Sequence, residues 1–178
     1  MVWSKTLLDG HDLLKRGISY EEFIARYDER QRARFNSAYE NAHFSEEDLA
    51  WFRRLQEERG KPIPTLVVAE NWCGDCIMCV AALRKLAEET GAFNLHFLYR
   101  DDPELQEAVE RYFLTWGRKK IPVFVFLDEE GREVGRYASR PYSQEMAGLQ
   151  GDNEKVKAAY QDGSYCGEMA AELKAALG

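Results

Sequence analysis

The chain has 178 residues, of which 45% are hydrophobic and 31% charged, and a net charge of −7 at pH 7. That is enough for one generous domain, or one domain with an extension. The acidic balance argues against nucleic acid and, more weakly, against anionic membrane surfaces. The first residues, MVWSKTLLDGHDLLKRG, carry charges throughout and lack the apolar stretch of a signal peptide, and no later run is long enough to span a membrane.

Residues 1 to 60 read as helical, with no convincing strand. Leu7, Leu8, Leu13, Leu14 and Ile18 form an apolar stripe broken at Gly10 and Gly17. Ser19-Tyr20-Glu21-Glu22 is a capping box, in which the serine and the glutamate satisfy each other's backbone amides. Ser45-Glu46-Glu47-Asp48 opens another helix, its acids facing the positive end of the helix dipole, and Gly60 stops it. The aromatic residues of this stretch, Phe23, Tyr27, Phe35 and Phe52 among them, are expected to be the buried faces of helices packed on a main domain. Arg30, Arg32 and Arg34, interspersed with acids, read as an ordinary solvated helix face.

Lys61-Pro62-Ile63-Pro64 is a stiff extended connector. Thr65 to Ala69 is apolar on both alternating faces, as in a strand covered on both sides. Glu70 to Trp72 connects it to a helix opening at Cys73 and ending at Gly91. Phe93 to Tyr99 is the next strand, with His96 a packed or edge residue. Asp102-Pro103 is an N-cap followed by proline at the first helical position, and the helix runs to about Leu114. Ile121 to Leu127 is a third strand. Asp128 to Gly131 forms a hairpin turn into the strand Glu133 to Ala138. Helical patterns resume near Asn153 and run, with a break near Asp162-Gly163, to Leu177. This order implies a mixed sheet sandwiched between helices, with a parallel pair around the first crossover.

Cys73-Gly74-Asp75-Cys76 places two thiols one helical turn apart at a helix N-terminus. The free amides and the dipole there favour a thiolate, which makes Cys73 nucleophilic near neutral pH. Cys76 is spaced to close a disulfide and release a bound partner. A zinc site would need two further ligands, but the remaining cysteines are Cys79 and Cys166, and no paired histidines occur. An iron–sulfur cluster would need a fourth nearby cysteine. Redox use of Cys73 and Cys76 is therefore expected, with no metal and no organic cofactor. Cys79 reads as a small buried hydrophobe or a backup thiol, and Cys166 as a lone structural cysteine. Four cysteines with two in a reactive spacing suit a reducing cytosol, so a cytoplasmic location is expected.

The segments VVAENWCGDC, GRKKIPVFVFLD and EEGREVGRY together resemble the thioredoxin superfamily. The C-G-D-C site, the N-terminal extension and Arg140-Pro141 look similar to a group of bacterial thioredoxin-like proteins. The resemblance implies a three-layer α/β/α sandwich with a mixed central sheet over residues 61–178, preceded by a helical extension over residues 1–60. It implies Cys73 as the attacking thiolate, Cys76 as the resolving thiol, and Trp72 as the residue that flanks them. It matches Ile121-Pro122 to the family's cis-proline step, whose backbone pairs with an extended substrate. Trp72, Gly74, Asp75, Ile121 and Pro122 are thus the expected substrate-binding residues.

Two departures stand out. Asp75 replaces a proline common in the family and should oppose ionisation of Cys73. Val67 stands where thioredoxin has a buried acid, and Glu70 is read as a solvated loop residue, so Cys76 is expected to lose its proton directly to water; the alternative is a Glu70 that points inward and assists it. The expected function is thiol–disulfide exchange with a disulfide-containing protein or small thiol, recharged by an external reductase or low-molecular-weight thiol. The alternatives are a binding module with an incidental dithiol, and a peroxidase or redox sensor that uses Cys79 or Cys166 as an additional resolver.

Overall fold

A computed structural model describes residues 9–178. Leu7 and Leu8 of the first apolar stripe lie outside the described residues. Among the described residues four helices come first: α1 (Gly10–Arg16), α2 (Tyr20–Ala25), α3 (Glu29–Asn41) and α4 (Glu46–Arg59). The expected capping box closes α2, with Ser19 and Glu22 bonding each other's amides, and Asp28 with Gln31 forms a second box on α3. Gly60 ends α4 in the left-handed conformation, at φ 73°. After them come β1 (Ile63–Ala69), α5 (Gly74–Thr90) and β2 (Phe93–Tyr99). A 3-10 turn (Pro103–Leu105) leads into α6 (Gln106–Tyr112), and β3 (Val123–Leu127) and β4 (Glu133–Ala138) form the hairpin. The chain closes with α7 (Tyr142–Leu149), α8 (Asn153–Asp162) and α9 (Tyr165–Leu177).

The sheet order is β2-β1-β3-β4. β1 and β2 are parallel, with Ile63 opposite Phe93 and Ala69 opposite Tyr99, and the β1–β3 and β3–β4 pairs are antiparallel. Alternation along the strands divides the side chains between two layers. Val67, Phe93, Phe97 and Phe126 share one face with α2, α4, α5 and α9: Phe23 of α2 stacks on Phe97, Phe52 of α4 meets Phe93, and Gly135 of β4 abuts the α9 backbone at Ala176. The opposite face meets α1, where Gly10 lies against Leu127, and α6, whose Tyr112 carbonyl accepts from Arg136. The result is an α/β/α sandwich around a mixed sheet.

Phe23, Phe35 and Phe52 are fully buried, and they join the sheet residues in one continuous core cluster. Ile18 goes further and makes a single antiparallel bridge to Phe97, exchanging both backbone hydrogen bonds at 2.9 and 3.0 Å along the outer edge of β2. The segment read as purely helical therefore also covers a sheet edge whose unpaired amides would otherwise be open.

The helix α7 was not expected from the sequence. Its N-cap is Pro141, which offers no side-chain acceptor. The free amides at its start are capped from α9 instead: Tyr142 N–H donates to Glu172 at 2.7 Å and Ser143 N–H to Glu168 at 2.8 Å.

Candidate active site around Cys73 and Cys76

β1 ends at Ala69, and the chain turns through Glu70 to Trp72 into α5, with Cys73 as its N-cap. Cys73 Sγ accepts the Cys76 N–H at 3.3 Å and lies 3.7 Å from the Ile121 carbonyl, to which its thiol donates. The Ile121–Pro122 bond is cis. The fold thus brings together residues 73 and 121, which are 48 positions apart in the chain.

The two thiols differ in environment. Cys73 is partly exposed and Cys76 fully buried. The Cys73 thiol is held below its ordinary value, chiefly by a hydrogen bond from the Cys76 side chain. Burial works the other way, and amide hydrogen bonds at the helix start add to the lowering while the Asp75 charge opposes it. Cys76 is pushed well up, first by burial and then by its neighbour Cys73. One sulfur is thus favoured as an anion, and the other holds its proton.

Trp72 is 56% exposed beside the dithiol. The Arg100 guanidinium lies 4.9 Å from the centre of its ring and forks onto Asp101 at 2.8 and 3.0 Å. Arg100 also donates to the Lys119 carbonyl at 3.0 Å, so it reaches the segment that leads into Ile121. Glu70 is only 6% exposed and accepts the Asp101 amide at 2.7 Å. The sequence reading of Glu70 as a solvated loop residue is therefore corrected: a strand end that passes straight into the β1–α5 turn leaves this side chain under the β2 terminus. Its burial raises the carboxyl's pKa, the Asp101 amide partly opposing the shift.

On the other side, Asp75 accepts from Tyr160 Oη at 2.7 Å and pairs with Arg140 at 3.7 Å. Arg140 donates to Glu145 at 3.2 Å, as does Ser139 Oγ, also at 3.2 Å, and Lys120 is the third donor to the same carboxylate. Glu145 is 4% exposed. Burial alone would raise its carboxyl, but the hydrogen bonds from Lys120 and Arg140 more than offset that and hold it below the ordinary range.

A model of a family described as thioredoxin matches residues 17–159. The chain belongs to this thioredoxin family. No curated protein matches its sequence. Among solved structures it is similar to a protein of unknown function from Pseudomonas aeruginosa, at 20% identity and a TM-score of 0.65, covering 93% of this chain and 96% of that one. It is also similar to an HIV epitope-scaffold, at 21% identity and a TM-score of 0.57, covering 93% of this chain and 98% of the scaffold. These likenesses concern the fold, and in this thioredoxin-family chain the chemistry is carried by the residues themselves.

Of the expected site residues, Trp72, Cys73, Gly74, Asp75 and Cys76 share the β1–α5 junction, and the Ile121 carbonyl lies against Cys73, with Pro122 joined to Ile121 by the cis bond. Arg100, Arg140, Glu145 and Tyr160 were not singled out. Only Arg140 left a trace in the sequence, as the residue before Pro141. Cys79 is fully buried, its sulfur 3.9 Å from Tyr137 Oη, and burial pushes its thiol up. Cys166 is buried in the first turn of α9, with its thiol raised for the same reason. No helix among the described residues is long and apolar enough to cross a membrane.

Proposed function

We propose that this protein is a thiol–disulfide oxidoreductase acting through Cys73 and Cys76. The observation that carries the reading is the asymmetry of the pair: an accessible, anion-stabilised sulfur at the N-cap of α5, a buried protonated one a turn later, and the Ile121 carbonyl beside the first. Cys73 thiolate attacks one sulfur of a substrate disulfide. The new S–S bond joins Cys73 to the substrate, and the displaced substrate sulfur leaves as a thiolate that takes a proton from water. Cys76 then gives up its proton and attacks Cys73 Sγ. The mixed disulfide breaks, the Cys73–Cys76 disulfide forms, and the second substrate sulfur departs. Two electrons have passed to the substrate.

The substrates in this reading are disulfide-containing proteins or small disulfides in the cytoplasm. A separate reductase or low-molecular-weight thiol restores the dithiol, and neither metal nor organic cofactor takes part. Trp72, Gly74 and the Ile121 backbone offer the docking surface. The burial of Cys79 and Cys166 speaks against either as a peroxide-resolving thiol, because a resolver must be reached. The binding-module reading calls for an exposed apolar patch on residues 1–60, whereas Phe23, Phe35 and Phe52 there are buried.

Equilibration in graded dithiol buffers, followed by alkylation and mass counting of free thiols, tests the assignment. A reversible two-electron couple is expected. A potential near about −270 mV marks a reductant and one near about −120 mV an oxidant. Cys73→Ser should abolish turnover, and Cys76→Ser should accumulate mixed disulfides. Turnover in Cys73→Ser equal to that of the parent would overturn the reading, and no reversible couple at all would favour the binding module.

A further inference from the structure

Beside the dithiol, α3, α5 and α8 leave an open groove of about 600 Å³. Its walls include Arg34, Gly74, Asp75, Met78, Val156 and Tyr160. A smaller hollow of about 210 Å³ continues it along α3 and shares Arg34, Met78 and Tyr160. The larger volume suits a ligand of peptide-fragment size. Met78 and Val156 offer apolar contact, and the groove begins at Gly74, the residue after the attacking thiol.

The charges along the groove are not equivalent. Asp75 is already held by Tyr160 and Arg140. Lys157, also on the wall, pairs with Glu154 at 2.7 Å. Arg32, one half-turn from Arg34 on α3, is used inside the fold, donating to the Tyr27 and Ala25 carbonyls at 2.9 and 3.0 Å. Arg34 differs. It is exposed, and among the described residues it makes no ion pair and no hydrogen bond. Its terminal nitrogen lies 3.7 Å from where a side-chain carbon on Gly74 would sit. In a chain of net charge −7, an uncommitted guanidinium therefore faces the groove one residue from Cys73.

We propose that this groove receives a carboxylate-bearing peptide segment flanking the substrate's disulfide, with Arg34 as the residue that recognises the carboxylate. A guanidinium can fork onto a carboxylate with two parallel N–H donors, which gives direction as well as attraction. The groove then selects acidic sequence next to the target cysteine, while Trp72 and the Ile121 backbone hold the cysteine itself. The proposal rests on the dithiol reading for its biological meaning, and the experiment separates the two.

Two short peptides differ only in an Asp or an Asn near one cysteine. Their Cys→Ser analogues are titrated into isotopically labelled protein, with the amide resonances of Gly74 and Met78 followed by NMR. The same peptides as disulfides are used for kcat/KM. The Asp analogue should shift those resonances and bind about three- to fivefold tighter than the Asn analogue at low salt, as for an exposed charge pair. The preference should fade at about 0.5 M salt. Arg34→Glu should remove or reverse it, and Arg34→Lys should keep part of it. The ratio of kcat/KM for the two disulfides should follow the binding ratio. Equal binding of the Asp and Asn analogues, or an unchanged preference in Arg34→Glu, would overturn the proposal. Preferential binding without reduction of either disulfide would support the groove and sink the redox reading.

Discussion

On one side of the dithiol, the Lys119 carbonyl accepts from Arg100, whose other partners are the Trp72 ring and the half-exposed Asp101. On the other side, the next residue, Lys120, donates to Glu145, which also accepts from Arg140 and Ser139. Two adjacent residues of the segment before the cis-proline are thus tied to opposite walls of the site. The ties use the same chemistry, guanidinium and ammonium on oxygen, but they differ in burial. The Arg100 side is wet at Asp101, so its charges are shared with water and its ion pair is worth little to stability. The Glu145 side converges on one carboxylate shut away from solvent, which depends on its three donors. Burial, more than the residue types, decides which tie holds the fold together and which only orients a side chain.

The sharpest break of this contrast is Glu145→Ala. It removes the shared acceptor and leaves Lys120 and Arg140 to find water, which their partial exposure allows. A loss of about 2–3 kcal/mol in unfolding free energy is expected. A urea titration checks it, and a change within about 0.5 kcal/mol would mean that the cluster is structurally idle.

Glu70→Gln tests, through pH, the one carboxylate on the Arg100 side that is itself buried. The folded-state pKa of Glu70 is raised by burial, so the native protein favours the protonated carboxyl. Stability from this group is complete below the ordinary carboxylate pKa and declines as pH rises through the raised folded value. The glutamine keeps an oxygen for the Asp101 amide and carries no charge. It should match the parent near pH 4 and exceed it by up to about 1 kcal/mol near pH 8. Denaturant midpoints at the two pH values measure this, and a variant less stable than the parent at pH 8 would reverse the account.

The smallest effect is expected at Arg140→Ala, which removes the positive charge paired with Asp75 and leaves that carboxylate, held by Tyr160 alone, to act more strongly on Cys73. The rate of Cys73 alkylation at pH 7 should fall about two- to threefold, with partial recovery in Arg140→Lys. The pH profile of alkylation shows whether the loss lies in the thiolate fraction or in access. A profile that does not move would assign Arg140 to Glu145 alone.

Much of the frame was legible in the chain. The capping residues Ser19, Ser45 and Asp102, the stops at Gly60 and Gly91, and the two-faced apolar strands act through neighbours a few positions away. The dithiol and its place at a helix start were legible for the same reason. What escaped was decided at distance. The helix α7 lacks a local cap because Glu168 and Glu172 supply it from α9. Glu70 looks like a loop residue until the end of β2 covers it. Arg34 looks like one of three equivalent arginines until α3 packs against α5 and α8.

The sequence by itself determined the order of the four strands, the alternation that buries both faces of β1 and β3, and the placement of Cys73 and Cys76 one turn apart at a dipole's positive end. Those depend on periodicity and local hydrogen bonding, which are written over a few consecutive residues. Only the tertiary structure decided that Ile121 faces Cys73, that Asp75 is held by Tyr160 and Arg140, and which carboxylates lose their water. Burial and charge pairing depend on which surfaces meet, and residues 48 or 85 positions apart meet only when the sheet and its helices have closed around them.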